Sequence, residues 1–164
     1  VAKARERGIE TFVFSPKDYD SKADYEREIV SMMEARGVEL VCLAGYMRIV
    51  GSVLLNAYRG RIINIHPSLI PSFCGEGFYG LKVHEAALEY GVKVSGATIH
   101  FVNEKADAGA IILQGTVNVE RDDTPQTLQR RIMENVEWKL LPKAVSLFCQ
   151  DKIDIVDGRA YVRE

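Results

Sequence analysis

Three side chains of different chemistry, Asn64, His66 and Asp107, carry the reactive content of this sequence. The first two lie in Arg61-Ile-Ile-Asn-Ile-His-Pro-Ser-Leu-Ile-Pro-Ser72, where a short apolar run leads into an amide and an imidazole before two prolines stop it. Side chains two apart on a strand share a face, so Asn64 and His66 point one way while Ile63 and Ile65 point the other. Open α/β sheets place their chemistry at the carboxyl ends of such buried strands. Asp107 sits in the loop Asn103-Glu-Lys-Ala-Asp-Ala-Gly109, followed by the small residues needed where a backbone approaches a ligand or another loop. A carboxylate beside an imidazole favours its charged, hydrogen-bond-donating form. Amide, imidazolium and carboxylate together suit transfer of a group at a carbonyl carbon: Asn64 and His66 stabilise an oxyanion, and Asp107 orients the histidine and helps move protons. Each residue alone is equally compatible with a satisfied core histidine or a solvated turn carboxylate.

Other reactive residues are less well placed. Ser68 follows a proline in a loop and has no G-x-S-x-G setting, so the substrate is expected to bring its own nucleophile. Gly75-Glu-Gly-Phe-Tyr-Gly80 matches G-x-G-x-x-G ahead of a helix. Prolines and a loop precede it rather than a strand, and His100 stands where an acidic ribose partner belongs. It reads better as a flexible loop beside the site, with Cys74 incidental. His84 reads as a surface or capping residue near a helix start. His100 shares its strand alternation with Thr98 and is a candidate site neighbour. Trp138 and Phe148 read as core.

The elements that must position these residues alternate along the first half. Strands are expected at Ile9 to Phe14, Val38 to Ala44 and Arg61 to Ile65, the second apolar enough to be covered on both faces. Helices are expected from Asp20 or Ser21 to Arg36, from Leu54 to Tyr58 and from Leu81 to Tyr90, with Gly37 and Gly91 as stops. The second half adds strands at Val92 to Val102 and Ala110 to Val119. A long helix follows from Thr124-Pro125 to about Cys149, kinked by Pro142, and then a hairpin about Asp157-Gly158. The pattern predicts one three-layer α/β domain over residues 1–164 with a parallel or mixed sheet.

Composition agrees with an ordinary globular chain: 164 residues, 47% hydrophobic, 27% charged. A net charge of −2 gives no support to a nucleic-acid groove or an anionic membrane surface, although Arg130-Arg131 and Lys3 to Arg7 are local basic clusters. Three widely spaced cysteines indicate neither a disulfide framework nor a zinc site, and Cys42 and Cys149 read as packing residues. No signal peptide or membrane span is visible, so the cytoplasm is the expected setting. The chain opens without Met in a helix-like stretch lacking an N-cap, as if entered midway through an element.

Taken together, these residues resemble the phosphoribosylglycinamide formyltransferases. The Asn64-Ile-His-Pro string is similar to that family's active-site strand end. Gly96-Ala-Thr-Ile-His-Phe-Val-Asn-Glu-Lys-Ala-Asp-Ala-Gly109 with Ile111-Ile-Leu-Gln114 is similar to its folate-loop signature, and Leu43-Ala-Gly-Tyr-Met-Arg-Ile49 to its folate-side loop. The similarity runs colinearly over essentially the whole chain. It implies a Rossmann-like formyltransferase fold with a mostly parallel mixed sheet, and Asn64, His66 and Asp107 as catalytic residues. The reaction implied is transfer of a formyl group from 10-formyltetrahydrofolate, used as cosubstrate without a metal, to glycinamide ribonucleotide. Folate contacts are implied at Lys22, Met47, Arg48, Ile49, Val50, Asn64, Asn103, Glu104, Lys105, Ala106 and Asp107. Ribonucleotide contacts are implied at Glu134, Asn135, Val136 and Glu137. A homodimer is left open.

Three departures accompany the resemblance. The family's first strand and Gly-rich phosphate loop do not occur here, so about forty residues, roughly one βαβ unit, are expected upstream of Val1. The chain as given would then bind substrate poorly or be inactive. The segment Phe73 to Lys82 is longer than in many relatives, and Ala106 replaces a larger aliphatic residue. Methionyl-tRNA formyltransferase, formyltetrahydrofolate deformylase and an inactive folate-binding module remain the alternatives. The first usually carries an extra carboxyl-terminal RNA-binding domain, which is not expected here; the second usually carries an amino-terminal regulatory domain, and its His segment differs from Asn64-Ile-His-Pro.

Overall fold

The computed structural model describes residues 1–163. After a one-turn helix α1 (Ala2–Arg5), the segment Ile9 to Phe14, expected as a strand, forms no ladder. Its Ile9, Phe12 and Val13 are exposed. Side chains tether it instead: Arg36 donates to Glu10 at 2.9 Å and lies over the Phe12 ring. Strand propensity without a neighbouring strand leaves backbone groups unpaired, so it does not by itself make a strand.

Helix α2 (Lys22–Glu34) begins at Ser21, whose hydroxyl accepts from the Asp24 N–H. Strand β1 (Val41–Leu43) is shorter than its apolar run. Helix α3 (Ser52–Ala57), strand β2 (Ile62–His66) and helix α4 (Leu81–Tyr90) follow, with Gly91 in the left-handed conformation closing α4. Next come strands β3 (Val94–Phe101) and β4 (Ile111–Asn118). The expected long helix is divided. Helix α5 (Pro125–Ile132) starts with a reciprocal Thr124–Thr127 cap, a π-helical turn spans Met133–Glu137, and α6 (Trp138–Cys149) contains Pro142. Pro142 donates no N–H and its ring crowds the carbonyl of Trp138; the widened turn lies directly upstream of that point. Strands β5 (Ile153–Val156) and β6 (Arg159–Val162) form the expected hairpin, with Asp157 and Gly158 both at positive φ.

The main sheet has the order β1-β2-β3-β4. It is mixed, as the sequence predicts, but only the β1/β2 pair is parallel; β2/β3 and β3/β4 are antiparallel. Helix α4 packs against α5 rather than running back along the strands, so β3 starts at the end where β2 finishes. Three layers result. On one face α2 and α3 bury Val30, Met33, Leu54 and Leu55 against Leu43 and Ile62. On the other face Ile63, Ile65, Ala97 and Ile99 pack under α5 and α6. Phe148 joins that core as expected, but Trp138 is 61% exposed, because the buried stripe of α6 runs through Leu140, Ala144 and Phe148. Cys42 and Cys149 are exposed rather than packed: β1 has a strand partner on one side only, and Cys149 ends α6. Among the described residues, no helix is long and apolar enough to cross a membrane.

Candidate active site

The pleat of β2 turns Asn64 and His66 to the face that α2 and α3 cover only as far as Ile62. Beyond Ile62 the face is closed by loops. The antiparallel register sets His100 directly across from Asn64 and Thr98 across from His66. The β3/β4 register shifts between Ile99 and His100, a bulge of the kind that re-aims a side chain. His100, a candidate neighbour from its alternation, is therefore brought into the cluster.

The hydrogen bonds determine which ring nitrogen carries each proton. His100 Nδ1 lies 2.8 Å from the Phe101 carbonyl, which can only accept, so Nδ1 is the donor. His100 Nε2 lies 3.2 Å from the Asn64 amide nitrogen, which is turned toward the ring. The second amide N–H has no acceptor among the described residues. His66 Nε2 lies 2.9 Å from the Phe73 carbonyl and donates to it, so the free position of neutral His66 is Nδ1. That nitrogen faces Asp107 Oδ2 at 3.5 Å. A proton arriving on His66 must therefore settle on the side where Asp107 can balance it.

Asp107 stands at φ +51°, a left-handed conformation that Asp tolerates better than most residues. Gly109 lets the loop close, because a Cβ there would collide with the Phe101 carbonyl. Asp107 Oδ2 accepts from the Gly75 N–H at 2.9 Å, and Oδ1 lies 3.6 Å from His100 Nε2. Burial pushes the Asp107 carboxyl up. The His100 ring, the Gly75 N–H and the nearby His66 outweigh that push and hold it below its ordinary value. It is an ionised carboxylate at neutral pH.

An open cavity of about 540 Å³ lies at the carboxyl ends of β1 and β2. It is lined by Asn64, His66 and Asp107, by Tyr46 to Ile49 after β1, by the Gly75–Gly80 loop, and by Gln129, Met133 and Glu137 from the α5 side. Of the folate-side residues expected from the resemblance, Met47, Arg48, Ile49, Asn64, Ala106 and Asp107 line it. Lys22 does not; it lines an adjoining depression with Arg48 and donates to the Ile49 carbonyl at 2.7 Å. Val50 packs into the core beside α2. Glu104 pairs with Arg59, and Asn103 accepts from the Lys105 N–H, so these three shape the loop from outside the cavity. Of the ribonucleotide-side residues, only Glu137 reaches it. Glu134 pairs with Arg130, Asn135 is exposed, and Val136 is buried in the core, because successive residues of a helical turn face different directions.

Tyr46 and Phe78 line the wall from loops expected beside the site, but Gln129, Met133 and the Phe73 carbonyl were not expected from the sequence. A backbone carbonyl has no sequence signature. His84, expected at the surface, is fully buried, with no partner for either ring nitrogen among the described residues. It sits on the inner side of α4 with Val83 and Ala87.

Fold and site define a Rossmann-like α/β protein in which an amide, two imidazoles and a carboxylate meet at the strand ends. The formyl transferase family model matches residues 1–145. The phosphoribosylglycinamide formyltransferase of Bacillus subtilis is 42% identical over 145 residues, 88% of this chain and 71% of that protein. The chloroplastic phosphoribosylglycinamide formyltransferase of Arabidopsis thaliana is 43% identical over 92% of this chain, which spans only 51% of that relative's length. Among solved structures, glycinamide ribonucleotide transformylase 1 from Symbiobacterium toebii superposes with a TM-score of 0.93 at 40% identity, covering 99% of this chain and 74% of that one. The chain belongs to the formyl transferase family and, within it, to the phosphoribosylglycinamide formyltransferases.

Proposed function

We propose that this chain carries the site at which a formyl group passes from 10-formyltetrahydrofolate to the amine of glycinamide ribonucleotide, giving N-formylglycinamide ribonucleotide and tetrahydrofolate in purine biosynthesis. The reading rests on one observation above the others: the Asn64 amide, the His66 imidazole with its Nδ1 turned to Asp107, and the Asp107 carboxylate converge on one cavity at a strand end. The donor supplies the reactive formyl carbon, and the substrate's amine supplies the nucleophile. The cavity suits such partners. Its volume falls in the range of small-molecule sites. One part of its wall is apolar and aromatic, through Tyr46, Met47, Ile49, Phe78 and Ala106, while polar groups gather at the end of β2.

In this reading the second N–H of Asn64 binds the formyl oxygen as negative charge grows on it, and the positive charge of protonated His66 beside it offsets that charge. Asp107 holds the charge of His66 and, across the same cavity, receives the proton that the attacking amine sheds and passes it to the departing nitrogen of the donor. Arg48 and Ile49 form the folate-side wall, with Lys22 at its outer margin. Glu137 faces the ribonucleotide. Both partners are small molecules, and a cytoplasmic setting fits them.

The test is an assay of the complete gene product with both substrates. Formyl transfer that depends on glycinamide ribonucleotide supports the proposal. Release of formate without that acceptor would point to hydrolysis, and folate binding without transfer would point to a binding module; either result removes the reading.

A further inference from the structure

Gln129, Met133 and Glu137 all line the cavity, although they are spaced by four residues twice over. Four residues of α-helix overshoot a full turn by about 40°, so an unbroken helix would carry Glu137 about 80° away from the line of Gln129. The turn Met133–Glu137 is π-helical. A π turn takes more residues per revolution and winds that overshoot back. Glu137 thereby returns to the cavity side.

A widened turn needs room, and the sheet provides it at one position. Gly115 of β4 lies under the turn, and a Cβ there would come within 2.6 Å of Val136 Cγ1 and 3.1 Å of Leu140 Cδ1. Val136 is β-branched and buried at 4% exposure, so its methyl has little freedom to move aside. The neighbouring acid Glu134 is paired with Arg130. Glu137 has no ion-pair partner among the described residues and faces the cavity without one.

We propose that Gly115 is a positioning residue: by letting the π turn seat against β4 through Val136, it holds the Glu137 carboxyl on the cavity side, facing the ribonucleotide substrate. The inference deepens the function proposed above and rests on it. The raised state of the Glu137 carboxyl, caused by burial, agrees with a side chain held in the cleft rather than in solvent.

The experiment compares Gly115→Ala, Glu137→Gln and the double variant Gly115→Ala/Val136→Ala in the complete gene product. Gly115→Ala should raise KM for glycinamide ribonucleotide about tenfold and leave KM for 10-formyltetrahydrofolate within about twofold. Glu137→Gln should show the same split. Removing the Val136 methyls in the double variant should restore the ribonucleotide KM. In parallel, a carbon-13 NMR titration of Glu137 reads the geometry without turnover: Gly115→Ala should move its pKa down toward the ordinary carboxylate value, and the double variant should bring it back. An unchanged Glu137 titration in Gly115→Ala, or no recovery in the double variant, overturns the positioning role. If the gene product transfers no formyl group, the proposed reaction fails while the titration still decides the positioning. If Gly115→Ala does not fold, Val136→Ile presses the same contact from the helix side and must shift the same titration, or the inference is wrong.

Discussion

The Gly75 N–H donates to Asp107 Oδ2 at 2.9 Å, and that same oxygen faces Nδ1 of His66 at 3.5 Å. The glycine-rich loop after β2 is thus joined to the carboxylate beyond β3. His66 is held from both sides, since Phe73 of the same loop accepts from its other nitrogen. Loop, imidazole and carboxylate form one connected unit, so a change at any one of them is felt at the others.

Asp107→Asn isolates the charge from the shape. Asn tolerates positive φ and its amide oxygen can still accept from Gly75, so the loop should keep its course. We expect kcat to fall on the order of 100-fold or more, with an unchanged circular dichroism spectrum and thermal midpoint. His66→Ala should show a loss of similar size. A fully active Asp107→Asn enzyme would exclude the proton role.

His84 should govern acid stability. Burial, with a smaller contribution from nearby His66, pulls its imidazole down to about 4. In the unfolded chain it titrates near 6.5, so between those values the unfolded state binds a proton that the folded state refuses. The stability contribution is full above about pH 6.5 and declines as pH falls toward 4, by roughly 3 kcal/mol. Urea unfolding at pH 7 and pH 4.5 measures it. In His84→Leu the difference between the two pH values should shrink markedly, and an unchanged difference would place the acid sensitivity elsewhere.

Glu26 ties α2 to the loop that lines the cavity. Its buried carboxylate accepts from the Gly51 N–H at 2.6 Å and the Leu54 N–H at 3.2 Å, capping α3 from a neighbouring helix. Glu26→Ala leaves both donors unpaired and should lower the unfolding free energy by about 2–3 kcal/mol. Because Gly51 ends the segment that begins at Gly45, folate-analogue binding should weaken as well. Equilibrium unfolding and fluorescence titration check the two effects, and a loss under about 0.5 kcal/mol would show the cap to be dispensable.

Asp123 forms a two-pronged pair with Arg131, at 2.6 and 2.7 Å. The Arg131 guanidinium holds its carboxyl down at about 2. A depressed carboxylate contributes stability that is present above its unfolded value near 4 and is lost as pH falls toward 2. Arg131→Met should remove that acid-side component and destabilise the fold at neutral pH, since it leaves a buried charge unpaired. Thermal unfolding of the variant between pH 2.5 and 6 should then be flatter than that of the parent. A parallel pair of curves would argue against the pair's contribution.

Much of the architecture was legible in local signals. Ser21 before α2, Thr124-Pro125 before α5, Gly91 after α4 and Asp157-Gly158 between the last strands each act within a few residues, through caps and positive-φ turns. Ile9 to Phe14 was not legible, because a strand depends on a partner that local sequence does not contain. The division of the last helix was half legible: Pro142 signals an irregularity, but its form as a π turn depends on the space above Gly115.

The site divides the same way. The alternation of β2 was enough to put Asn64 and His66 on one face, because a strand's side-chain period is two wherever the strand forms. Bringing Asp107 to His66, setting His100 behind Asn64, and choosing Glu137 over Val136 for the cavity were decided by the tertiary structure. Those choices rest on an antiparallel register, a bulge, and a glycine whose missing side chain makes room for a wider turn. Sequence by itself determines what repeats at short range. Which distant groups meet at one site depends on how three layers pack, and that is an energy summed over contacts far apart in the chain.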